Sequence, residues 1–107
     1  MSANITSVGN ADFRSEVLEA TGPVIVDFWA AWCAPCRAQT PILEQYAASH
    51  PGVKIVKVNV DEAGQVAQQY GIRSIPTLSV FNGGREVAKA VGVQRSPQLD
   101  QLVARAG

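Results

Sequence analysis

The sequence predicts an α/β fold built on a five-stranded mixed β-sheet, with four helices divided between its two faces. Three observations lead there. Val24-Ile25-Val26-Asp27-Phe28-Trp29 is apolar and β-branched enough for a buried strand, and a helical stretch follows it almost at once. A second run, with Val53, Ile55, Val56, Val58 and Val60, is near-continuously apolar, as in a strand covered on both faces. The last third of the chain carries two short strands separated by Asn82-Gly83, the signature of an antiparallel hairpin. Helical crossovers make the early strands parallel, and the closing pair is antiparallel.

The totals are consistent with this. At 107 residues the chain fits one domain, and 47% hydrophobic residues supply a core that needs no staples. Nine Lys plus Arg balance nine Asp plus Glu, so no net field favours nucleic acid or an anionic membrane, and neither is expected as a partner. No apolar run approaches the roughly 20 residues that span a bilayer. Met1-Ser2-Ala3-Asn4-Ile5 has no positive stretch leading into an apolar one, so no secretory leader is expected. The expectation is a cytoplasmic monomer.

Taken in order, residues 5–8 form a short strand. Asn10 is placed to cap a helix over 11–20, with Asp12 suiting its positive end and Phe13, Val17 and Ala20 on its buried stripe. Gly22-Pro23 ends that helix, and the strand over 24–29 follows. A long helix over 34–49 buries Ile42, Leu43, Tyr46 and Ala47. Pro41 inside it cannot donate to the Arg37 carbonyl, which predicts a kink. After the strand over 53–59, Asp61 caps a short helix burying Val66, Ala67 and Tyr70, closed by Gly71. In the hairpin, Arg85, Glu86 and Lys89 suit an edge strand. Ser96 as cap and Pro97 as first helical residue open the last helix, pinned by Leu99, Leu102 and Val103.

The chemistry lies at the strand-to-helix junction, where open α/β sheets place their sites. The only two cysteines, Cys33 and Cys36, sit there two residues apart. Cys33 precedes the helix, so the helix's free amides favour its thiolate, and it is expected to be the exposed, attacking sulfur. Cys36, one turn in, is more buried and suits a resolving role. A purely structural disulfide is the duller alternative. A loop this short restricts the unfolded chain by only about 2 kcal/mol, and a cytoplasmic protein seldom keeps such a bond oxidised. Zinc would need four ligands, and only His50 could join the two thiols. Haem attachment fails because Arg37 stands where a histidine is needed. No metal is expected.

With Trp29-Ala30-Ala31-Trp32-Cys33-Ala34-Pro35-Cys36, Asp27, Tyr70-Gly71-Ile72-Arg73-Ser74-Ile75-Pro76-Thr77 and Val91-Gly92 all in sequence, the chain resembles the thioredoxin family over essentially its whole length. It departs at Ala34, where glycine is usual, and at Arg37, where lysine is common. The resemblance implies a thioredoxin-like fold and a protein-disulfide reductase with no bound cofactor. Its electrons would come from a separate NADPH-dependent flavoprotein, thioredoxin reductase, and its substrates would be disulfide-containing proteins.

Asp27 shares a strand face with Ile25 and Trp29, so its carboxyl is expected to be buried and its pKa raised. On the residue alone, a proton acceptor for Cys36 and a strand-end aspartate bonded to backbone are evenly matched. The resemblance favours the proton acceptor, acting through water, with Lys57 tuning it; an exposed strand lysine is the alternative for Lys57. The resemblance also implies a cis Ile75–Pro76 bond beside the disulfide, with the Ile75 backbone pairing to a bound peptide and Pro76 keeping metals from the thiols. Trp32, Ala34, Pro35, Ile75, Val91, Gly92 and Val93 would form an apolar docking patch. Ordinary edge packing is the alternative for Val91 and Val93, and a bulge for Gly92. Trp29 is expected to shield, and Arg37 to act as a solvated charge with a secondary effect on Cys33. Ala34 is the better helix former and predicts a shifted but still reducing potential. Two rivals remain: an oxidase or isomerase of the same fold, and a binding subunit whose thiols are incidental.

Overall fold

The computed structural model describes residues 5–106. Residues 1–4, which carry the expectation about a leader, lie outside the described residues. The strands are β1 (Ile5–Ser7), β2 (Val24–Trp29), β3 (Lys54–Asn59), β4 (Thr77–Asn82) and β5 (Arg85–Val91). The helices are a π-helical segment (Arg14–Leu18), α1 (Ala34–Ser49), α2 (Gly64–Gln69) and α3 (Ser96–Ala104). One sheet orders them β1-β3-β2-β4-β5. β2 is central, parallel to β3 and antiparallel to β4, and β4 and β5 form the antiparallel hairpin.

The alternation of side chains along β2 divides the core into two layers. Val24, Val26 and Phe28 pack with Phe13 and Val17 of the first helical region and Val66 of α2. Ile25 faces the other way, onto Leu43, Tyr46 and Ala47 of α1 and Leu99 and Leu102 of α3. Each such side chain stabilises the fold by roughly 1.5–3 kcal/mol on burial. With both faces covered, β2 is held rigidly, and so is the site at its end.

Several boundaries differ from expectation for local reasons. The first helix contracts to Arg14–Leu18, where the Glu19 amide reaches back five residues to the Arg14 carbonyl. Asn10 does not cap it. Its side-chain oxygen accepts instead from the Val66 amide at 3.1 Å, which makes it the cap of α2 from 56 residues away. Asp61 is correspondingly free of that duty, and the residue before α2 is Ala63, with no side-chain cap. Gly71, at φ +65°, closes this region as expected. In the hairpin Asn82 pairs with Arg85, so the turn residues are Gly83 and Gly84 (φ +65° and +81°). This is one position later than Asn82-Gly83. Arg95, not Ser96, precedes α3, and its amide donates to Gln98 Oε1 at 3.0 Å. β5 is an outer strand with a register shift opposite Val80/Phe81, and Lys89 reaches off it to the Tyr70 carbonyl at 2.7 Å.

Candidate functional site: the start of α1

β2 ends at Trp29 and the chain turns through residues 30–33 into α1. Cys33 is the residue before the helix, extended at φ −93°, ψ 110°, and its sulfur accepts the Cys36 backbone N–H at 3.2 Å. A sulfur thus occupies the position usually held by a serine or aspartate oxygen. The positive end of α1 faces it, so negative charge on Sγ is favoured there. Cys33 and Cys36 are joined in a disulfide, with their Cα atoms 5.3 Å apart.

Cys33 is less open than expected. It is 5% exposed, against 1% for Cys36. Ala30, Trp29, Val60 and Ile75 pack around the two sulfurs and leave only an edge of Cys33 in contact with solvent. A position at a helix start says nothing of this cover, because Val60 and Ile75 come from distant loops. The Ile75 carbonyl lies 3.7 Å from Cys33 Sγ, and the Ile75–Pro76 bond is cis.

Asp27 lies in β2, two residues before its end at Trp29, with no exposed surface and no hydrogen-bond partner for either carboxylate oxygen among the described residues. Burial pushes its pKa up to about 7, and the Lys57 charge, its register partner on β3, only partly opposes this. The Lys57 ammonium is turned elsewhere. It donates to Thr40 Oγ1 at 2.7 Å and sits 4.4 Å above the Trp29 ring. Thr40 Oγ1 in turn donates to the Cys36 carbonyl at 3.4 Å. Lys57 is therefore half-buried and engaged rather than an exposed strand lysine.

Around this centre Trp32 (69% exposed) and Val91 (63%) are the large hydrophobic side chains left most open among the described residues. Ala34 and Pro35 are exposed beside Trp32, Ile75, Gly92 and Val93 are half-buried, and Pro76 is buried. The Pro76 carbonyl accepts from the Gly92 amide at 2.8 Å, which ties the two loops of the patch together. Arg37 is exposed, yet it donates to the Ala31 carbonyl at 3.0 Å and braces the turn. His50 stands at the opposite end of α1, about 24 Å along the axis of a 16-residue helix, so it cannot join the thiols at a metal. No group of three or more His, Cys, Asp or Glu side chains placed to hold a metal occurs among the described residues.

Two residues of the site have no sequence signal. Asp61 accepts the Trp32 indole N–H at 2.9 Å and fixes the ring beside Cys33. Gln39, buried in α1, holds the backbone of Gln94 through both ends of its amide.

The family model described as Thioredoxin matches residues 4–105. The chain belongs to the thioredoxin family. It is 50% identical over 97 residues to "Thioredoxin 1" of a Nostoc species, covering 90% of this chain and 91% of that one. To "Thioredoxin 1" of Synechococcus elongatus it is 53% identical over 87 residues, covering 80% and 81%. To "Thioredoxin C-2" of Corynebacterium nephridii it is 48% identical over 104 residues, 96% of each. As a thioredoxin-family protein the chain is a protein-disulfide oxidoreductase, and Cys33–Cys36 is its redox-active pair.

Proposed function

We propose that Cys33 is the attacking sulfur, Cys36 the resolving sulfur and Asp27 the proton acceptor in the reduction of disulfides of other proteins. The observation that supports this most strongly is the Cys33 sulfur at the cap of α1, taking the Cys36 N–H at the edge of an open apolar patch. In the dithiol form the Cys33 thiolate attacks one sulfur of the substrate disulfide. A Cys33–substrate disulfide forms and the first substrate sulfur leaves as thiolate. Cys36 then gives its proton to the Asp27 carboxylate, through water, and attacks Cys33 Sγ. The second substrate sulfur leaves, two electrons have passed to the substrate, and Cys33–Cys36 is oxidised. A carboxyl with a pKa of about 7 is suited to this because it takes and releases a proton near neutrality.

Trp32, Ala34, Pro35, Ile75, Val91, Gly92 and Val93 receive the substrate chain. Pro76 lies behind them and shields the sulfurs from metal ions. Trp29, Arg37 and Lys57 tune the pair. The exchange calls for no bound cofactor, because the two sulfurs themselves carry the electrons. Thioredoxin reductase, drawing on NADPH, restores the dithiol, and the protein works as a cytoplasmic monomer in which all 107 residues make one domain. No described helix is long and apolar enough to cross a membrane.

Insulin reduction by dithiothreitol, followed by turbidity, tests the reading. The protein is expected to bring precipitation forward and Cys33→Ser to give only the uncatalysed rate. Equal rates with and without the wild-type protein would overturn it.

A further inference from the structure

Beyond Val91 the chain leaves β5 and crosses the first half of α1 with no regular structure until α3. Gly92, at φ +94°, makes the turn. What holds this segment down is Gln39. The Gln39 side chain has no exposed surface. Its Nε2 donates to the Gln94 carbonyl at 2.8 Å, and its Oε1 accepts the Gln94 amide at 2.7 Å. One planar amide thus supplies the donor and acceptor that a neighbouring strand would. Gln94 passes the restraint on, because its own Nε2 donates to the carbonyls of Val91 at 3.3 Å and Gly92 at 3.0 Å.

A fully buried amide inside a helix opposes folding unless both of its ends are satisfied. Here both ends are satisfied by one residue of the loop. The burial of Gln39 is therefore compensated only while residues 91–94 keep their place over the helix that carries Cys33 and Cys36. The same four residues include Val91 and Gly92, one wall of the docking patch.

We propose that Gln39 is a positioning residue for protein substrates, clamping the 91–94 rim in register with the cysteines before a substrate arrives. The inference rests on the reductase reading above. A rim already in place lowers the ordering cost of docking a polypeptide. A small disulfide that reaches the sulfur without touching the rim gains nothing from the clamp.

The test uses pre-reduced protein in single turnovers against rising insulin concentrations, and the small aromatic disulfide dithiobis(nitrobenzoate) as the second substrate. Gln39→Leu is expected to raise the half-saturating insulin concentration about three- to ten-fold, with the limiting rate, the small-disulfide rate and the reduction potential unchanged. Gln94→Ala, which leaves the buried clamp intact and removes only its extension to Val91 and Gly92, is expected to show a smaller change of the same kind. It carries the test if Gln39→Leu does not fold. Unaltered half-saturation in the folded variants, or a parallel fall in both rates, would overturn the clamp alone. A wild-type protein that reduces the small disulfide but not insulin would overturn the reductase reading and the clamp with it.

Discussion

Asp27 lies in β2, the strand that leads to the cysteines, and Gln39 in α1, the helix that carries Cys36, and neither has any exposed surface. Gln39 has both ends of its amide engaged by one backbone residue, whereas Asp27 has neither oxygen engaged by any described group. Burial of a polar side chain is thus not one kind of event. Where the group is satisfied it fixes geometry. Where it is left unsatisfied, its proton affinity moves towards the working pH and it becomes available for chemistry.

The contrast is broken most severely by Asp27→Asn. With a folded pKa of about 7 against the ordinary aspartate value of 3.8, the native state holds a proton that the unfolded chain has released. Stability therefore falls as pH rises from about 4 to about 7, and the loss is complete above the folded value. Asp27→Asn is expected to stabilise the protein by about 4 kcal/mol at pH 8 and by almost nothing at pH 4, read from urea unfolding at both. The same variant should slow the release step at pH 7 by about a hundred-fold, seen as a Cys33–substrate disulfide that persists. Gln39→Leu tests the other side. It is expected to cost about 1–3 kcal/mol, because the Gln94 amide and carbonyl lose their partners, and the cost should be the same at pH 4 and pH 8. A pH-dependent cost would erase the distinction. The smallest effect is expected from Thr40→Val, which removes the oxygen that draws the Lys57 ammonium aside. Freed to lean towards the carboxylate, Lys57 should lower the Asp27 pKa by up to about one unit, measured by carbon NMR of the carboxyl.

Asp27 could be found from the sequence because strand alternation is local: with Ile25 and Trp29 on the same face, a buried carboxyl follows. The spacing of the cysteines and the apolar runs of β2 and β3 are local too, and they place the site and the sheet around it. Gln39 could not be found this way. Its partner lies 55 residues away, and an isolated glutamine in a helix looks like any solvated residue. Asn10 and Asp61 misled for the same reason. Each has the right chemistry to cap the helix that follows it, but each is taken by a group its own segment does not contain, the Val66 amide for one and the Trp32 indole for the other. The near-closure of Cys33 belongs with these, since its cover is supplied by Val60 and Ile75.

The outer strand β5 bears on how two copies of this protein can meet. Its register shift twists the open row of peptide groups, and Lys89 places an ammonium beside it, 3.5 Å from Glu86. Continuing the sheet there would mean desolvating the Lys89–Glu86 pair beside a bent edge, so growth of the sheet from β5 is discouraged. A molecule obliged to display Trp32 and Val91 is in this way guarded along the one outer strand that ends in the patch itself.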